Sequence, residues 1–210
     1  MKIKKKHLSI IVLALIAILA VSMTGCTSPG ASSNSAGDAT PAENPIGIHH
    51  AEIEVKDYGT IAVELDGDTA PITVQNFMDL ANAGFYDGLT FHRIMDGFMI
   101  QGGDPLGNGT GGSDQNIVGE FSSNGITNDI THAKGVISMA RANDPNSASS
   151  QFFIMVADAD YLDGNYAAFG HVTEGQEIAD KIAKDAVPID NNGTIPRDQQ
   201  PVITTIKIID

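Results

Sequence analysis

The densest chemistry in this 210-residue sequence lies in Phe91-His92-Arg93-Ile94-Met95-Asp96-Gly97-Phe98-Met99-Ile100-Gln101-Gly102-Gly103-Asp104. Asp96-Gly97 reads as a tight turn between two strands, which brings Arg93 and Gln101 close together. In a strand from Phe98 to Gln101, Phe98 and Ile100 share one face while Met99 and Gln101 share the other. The result is an apolar patch with a few aimed donors. Read by itself, Arg93 fits a surface cation paired with a nearby carboxylate better than a functional group, with the Phe and Met as core. Other reactive patterns are weak. No G-x-S-x-G, Walker loop or H-E-x-x-H occurs. Gly107 to Gly112 satisfies G-x-G-x-x-G, but Ser113-Asp114-Gln115-Asn116 follows it without helical periodicity, so a dinucleotide site is not expected. Asp158, Asp160 and Asp163 lack EF-hand spacing, with Phe169 in the slot of the final Glu. His49 and His50 point to opposite faces of a strand, which argues against a shared metal.

The elements that must hold this patch are mostly strands. Ala51–Val55 and Ile61–Leu65 alternate apolar and polar residues around Asp57-Tyr58-Gly59, which predicts a hairpin with one wet face. Thr69-Ala70-Pro71 opens a helix, with Thr69 as the expected cap. Its apolar stripe is Val74, Phe77, Met78 and Ala81, and Gly84 ends it. Further strand-like runs are Leu89–Met95, Phe98–Gln101, Gly135–Ala140, Gln151–Val156 and Ala167–His171. A second helix fits Glu174–Lys184, and Val202–Ile208 closes the chain as a strand. About eight strands and two helices set apart predict a mainly β fold, a closed antiparallel barrel with covered ends.

The Phe91–Asp104 stretch resembles the signature of cyclophilin-type peptidyl-prolyl cis-trans isomerases, F-H-R-x-x-x-G-F-M-x-Q-G-G-D, at every fixed position. The resemblance continues through Gly107–Gly112, Ser138–Ala142, Ser150–Ile154, Leu162-Asp163-Gly164 and Phe169-Gly170, covering roughly residues 50 to 210. It implies an eight-stranded antiparallel barrel capped by two helices, and an enzyme that needs no cofactor or metal. Arg93, with Phe98 and Gln101, would be catalytic, Arg93 stabilising the twisted X-Pro amide. Met99, Ala140, Arg141, Gln151, Phe153, Tyr161, Leu162 and Tyr166 would bind substrate, and His92 would be buried and structural. Three positions depart from the best-known eukaryotic pattern. Tyr161 stands in place of Trp, Tyr166 in place of His and Arg141 in place of Asn. That Trp helps bind cyclosporin, so strong inhibition by that drug is not expected. Arg141 adds a cation beside the site, with little effect expected if its role runs through the backbone. A non-catalytic module or chaperone holding proline segments in the same pocket is the rival reading, and an adhesin using the fold as a scaffold a third.

Composition sets the context. Apolar residues make up 42% and charged residues 18%, enough for a packed core. The formal net charge is -14, but Lys2, Lys4, Lys5 and Lys6 lie in the first six residues and residues 1–25 contain no acid. From Cys26 onward, 8 cations face 26 acids, a net -18 that disfavours nucleic-acid partners. The basic patch and the 14-residue run Leu8–Val21 read as a signal peptide spanning residues 1–25. Ser22-Met23-Thr24-Gly25-Cys26 resembles a bacterial-type lipobox, which implies lipidation of Cys26 and a membrane anchor on the extracytoplasmic face. Residues 26–47 are a Ser/Ala/Pro/Gly-rich tether. Residues 48–210 form the isomerase domain, expected as a monomer acting on proline-containing unfolded or secreted polypeptides.

Overall fold

The computed structural model describes residues 46–210. The proposed signal peptide, Cys26 and nearly all of the tether lie outside the described residues. Eight strands form one antiparallel sheet: β1 Ile48–Val55, β2 Gly59–Asp66, β3 Arg93–Met95, β4 Met99–Gly102, β5 Val136–Met139, β6 Phe152–Met155, β7 Ala168–Glu174 and β8 Ile203–Ile208. The spatial order is β3-β4-β6-β5-β7-β2-β1-β8. Two helices accompany it, α1 Pro71–Asn82 and α2 Gln176–Asp185. Among the described residues, no helix is long and apolar enough to cross a membrane.

The sheet curls into a half-barrel and does not close, which corrects the expected closed barrel. β3 and β8 are its two ends. They approach through an isolated bridge between Thr90 and Val202, with Phe91 donating to the Pro201 carbonyl, Ile203 to that of Leu89 and Gly88 to that of Ile203. Pro201 has no N–H with which to extend the ladder. The expected strand Leu89–Met95 accordingly shrinks to Arg93–Met95. Its open edge is covered by a loop, since Ile94 donates to the Gly193 carbonyl and Ile195 to that of His92.

Alternation in β1 and β2 buries Ala51, Ile53, Val55, Ile61, Val63 and Leu65 on one face. Helix α1 lays Val74, Phe77 and Ala81 over that core. Phe77 sits 5.3 Å from the rings of Tyr86 and Phe169 and 5.5 Å from that of Phe152. β5 and β6 are buried on both faces, which explains why Phe152-Phe153-Ile154-Met155 runs apolar without alternation. Their inward residues, Ile137, Met139, Phe152 and Ile154, join the main core. The outward ones, Val136, Phe153 and Met155, join Met99, Leu162 and Ala168 in a second cluster on the outer face.

The α1 N-terminus departs from expectation. The Thr69 hydroxyl turns back to Asp66 and caps nothing in the helix. The buried Glu120 carboxylate accepts hydrogen bonds from the Ile72 and Thr73 amides and from the Thr73 hydroxyl instead.

Candidate active site

β3 and β4 form the hairpin read from Asp96-Gly97, with Arg93 opposite Gln101. β4 pairs in turn with β6, placing Gln101 opposite Phe153. Three functional side chains thus stand side by side on the outer face through backbone pairing alone. Phe98 lies one residue before β4, so strand alternation does not bind it, and its ring turns to the same side as Met99. This corrects the expectation that Phe98 shares a face with Ile100, which is core.

A pocket of about 340 Å³ opens here, lined by Arg93, Phe98, Met99, Gln101, Ala140, Arg141, Phe153, Tyr161, Leu162 and Tyr166. The structure therefore brings together ten of the residues singled out in the sequence. Gln151 lies in a second, polar lobe of about 320 Å³, which shares Gln101, Ala140 and Arg141 with the first. Cys26 falls outside the described residues. The apolar walls are ordered by ring packing. Phe98 stacks on Tyr161 at 6.0 Å, and Phe153 meets Tyr166 edge-on at 5.9 Å. Among the described residues, no group of three or more His, Cys, Asp or Glu side chains is disposed to hold a metal.

A one-way hydrogen-bond relay aims the arginine. Arg93 Nη1 donates to Gln101 Oε1 at 3.1 Å, Gln101 Nε2 to Gln151 Oε1 at 2.9 Å, and Gln151 Nε2 to the Gly111 carbonyl at 2.7 Å. Arginine can only donate, so Gln101 must present its oxygen to Arg93, and the sense of every later link follows. Arg93 Nε is held by the Asn192 carbonyl at 2.8 Å. The remaining contacts are the thioether sulfurs of Met99 at 3.9 Å and Met95 at 3.4 Å. Thioethers are weak acceptors, so these N–H groups are available to a ligand. Burial pulls the guanidinium below its ordinary pKa, opposed by Tyr166, Tyr161 and Asp190. It stays protonated at neutral pH.

The sequence marks Gly107–Gly112 as a loop but does not place it in the site, and Gly109 to Ser113 floors the polar lobe. Asp104 organises its start, its carboxylate accepting from the Leu106, Asn108 and Gly109 amides. Burial raises the Asp104 pKa, but those backbone donors outweigh it and hold the group ionised. Gly103, with φ near +81°, leaves no room for a Cβ against the Ser150 carbonyl. No helix follows Gly112, in keeping with the reading of that glycine pattern as a loop.

The second missed feature lies beneath the pocket. His132 Nδ1 meets Asp163 Oδ1 at 2.8 Å, and His132 Nε2 meets Ser138 Oγ at 3.0 Å. The order Ser–His–Asp imitates a hydrolase triad, yet Ser138 and His132 are both buried and neither lines the pocket. His132 stacks on Phe153 at 6.1 Å, so the trio supports the pocket floor from below. Asp158 accepts from the Lys134 amide, so that aspartate and Asp163 are spent on backbone rather than on calcium. His49 and His50 both reach Asp210, through the His49 ring and the His50 amide.

Burial holds both His92 and His132 below the ordinary histidine pKa, partly opposed by Asp104 and Asp163 respectively. Both rings are therefore neutral when folded, and the unfolded chain takes up protons first as pH falls below about 6.5. Stability is full above that value and declines from there down to the depressed folded pKa values. The urea midpoint should fall from pH 7.5 to 5.5. His92→Phe, which removes a ring with no partner at either nitrogen, should flatten the slope. A midpoint independent of pH over that range would contradict this.

The profile of the family described as cyclophilin type peptidyl-prolyl cis-trans isomerase/CLD matches residues 50–209. The chain belongs to the cyclophilin-type isomerase family. Peptidyl-prolyl cis-trans isomerase-like 1 of Rhizopus delemar is 46% identical over 125 residues, covering 59% of this chain and 74% of that protein. Peptidyl-prolyl cis-trans isomerase A of Dickeya dadantii is 43% identical over 131 residues, covering 60% and 67%. A Cryptosporidium parvum cyclophilin crystal structure superposes with a TM-score of 0.68 at 29% identity, covering 78% of this chain and 99% of that one. The same cyclophilin has been crystallised in the presence of the dipeptide Ala-Pro, and that structure matches with a TM-score of 0.67 at 30% identity. As a cyclophilin, the chain is an isomerase of X-Pro peptide bonds.

Proposed function

We propose that this cyclophilin isomerises X-Pro bonds without a covalent step, with Arg93 stabilising the twisted amide. Rotation about C–N costs about 18–20 kcal/mol because resonance must be broken. A catalyst needs only to bind the twisted form better than either planar form. As the bond twists, the prolyl nitrogen pyramidalises and regains a lone pair, which a fixed cation can meet. Arg93 supplies a permanently charged fork, held on one side by Asn192 and Gln101 and facing the pocket on the other. Phe98, Met99, Phe153 and Leu162 would hold the proline ring, while Gln101 and Gln151 keep the arginine aimed. The observation that carries this reading is the one-way relay ending on an arginine at the mouth of an apolar pocket. Exchange NMR on a short X-Pro peptide tests it. Clear acceleration over the spontaneous rate of tens to hundreds of seconds is expected. No acceleration would favour a module that only holds proline segments.

We further propose residues 1–25 as a signal peptide, Cys26 as a lipidated mature N-terminus, residues 26–47 as a tether and residues 48–210 as a monomeric catalytic domain. The clients are then exported or surface proteins delayed at proline steps. Cys26→Ser should move the protein from the membrane to the soluble fraction in cell fractionation; unchanged retention would count against the anchor.

A further inference from the structure

Arg141 belongs to both lobes of the groove, and its side chain is fixed rather than loose. Nε and Nη2 donate to the Asn165 carbonyl at 3.0 and 2.8 Å, and Nη1 to the Ala142 carbonyl at 2.9 Å and the Asn143 carbonyl at 3.4 Å. Its guanidinium also packs over the rings of Phe121 at 5.1 Å and Tyr166 at 4.8 Å. Every one of these partners is neutral. Among the described residues, neither Arg141 nor Arg93 takes part in an ion pair. No carboxylate lines either lobe. The groove is thus a positive cleft holding two arginines outside any ion pair, with Asp190 acting on Arg93 only from beyond ion-pair distance, in a segment where residues 46–210 carry 24 acids against 8 cations.

We propose that this cleft selects X-Pro segments carrying a carboxylate side chain within two residues of the proline, with Arg141 as the specificity-determining residue. The proposal rests on the isomerase reading above. Rotating an amide displaces no charge that Arg141 must answer, so its uncompensated cation is free to act on the flanking side chain. A cleft of one sign set in a surface of the other concentrates the matching ligand locally while the wider surface repels it. Glutamate beside the proline should therefore be favoured even though the domain as a whole repels acidic chains. Salt should weaken the preference, since the Debye length drops from about 8 Å at 0.15 M to about 3 Å at 1 M.

The test measures kcat/KM by exchange NMR on two peptide sets bearing Glu, Gln or Lys, one set with the variable residue second before the proline, the other with it directly after. At 0.15 M salt, at least one set should rank Glu above Gln above Lys, with Glu about two- to fivefold above Gln, the scale of an exposed ion pair. The ratio should shrink toward one in 1 M salt and in Arg141→Gln, and persist in Arg141→Lys, which keeps the charge. Should Arg141→Gln fail to fold, the wild-type salt dependence and Arg141→Lys still decide. Catalysis of the Gln peptides without a Glu advantage in either set overturns this inference and leaves the isomerase reading standing. If no peptide is turned over, the isomerase reading falls; chemical-shift titration with the same peptides then decides the charge preference, and equal affinities overturn it.

Discussion

Arg93→Ala should lower kcat/KM for an X-Pro peptide by about 10²–10³-fold, the usual effect of deleting one preorganised donor aimed at developing charge. KM should change far less, because the proline ring is bound by Phe98, Met99, Phe153 and Leu162, which pack in an apolar cluster that Arg93 meets through the Met99 thioether at 3.9 Å. Arg93→Lys should recover only part of the loss. A single ammonium cannot hold the Asn192 carbonyl and Gln101 together and still point into the pocket, as the planar fork does. Gln101→Ala should fall between wild type and Arg93→Ala, since it loosens the arginine without removing it. Thermal unfolding should be nearly unchanged in all three, as Arg93 and Gln101 are only partly buried. Equal rates for wild type and Arg93→Ala would overturn the assigned mechanism even if the domain still accelerates the reaction.

The same residues show what a sequence can reveal. Arg93, Met99 and Gln101 sit within one hairpin, and turn chemistry at Asp96-Gly97 with period-two alternation suffices to bring them together. The polar lobe is different. Gln151 reaches Gln101 across 50 residues, through a strand pairing that no local pattern encodes. Phe153, Tyr161 and Tyr166 entered the expected site through resemblance to a family, not through spacing. The error over barrel closure has a similar cause. Leu89–Met95 reads as one strand because Leu89, Phe91, Ile94 and Met95 fall in a short run with no Gly or Pro to break it, yet the partner that would extend it contains Pro201. Thr69 carries every local mark of a helix cap and loses the position to a carboxylate 48 residues from Ile72.

That carboxylate carries the second large effect. Glu120→Ala should lower stability by about 3–4 kcal/mol, because hydrogen bonds to a charged group contribute about 1.5–3 kcal/mol each and their loss leaves buried donors unpaired. Glu120 is 2% exposed and serves three donors at once, two of them amides of the first α1 turn, where a negative charge also complements the helix dipole. In a domain of this size, such a loss corresponds to a fall in the melting midpoint of about 10 °C. Glu120→Gln should fall less, since its amide oxygen can still accept while its NH2 meets donors it cannot satisfy. The damage should also reach the groove. Glu120 precedes Phe121, whose ring lies under the Arg141 guanidinium. Loosening that loop should weaken discrimination between Glu and Gln peptides, while leaving in place the Arg93 relay, which runs through β3, β4 and Gln151, the residue before β6. A variant that unfolds at the wild-type midpoint would show that α1 is held by its apolar stripe alone, and that the carboxylate is incidental.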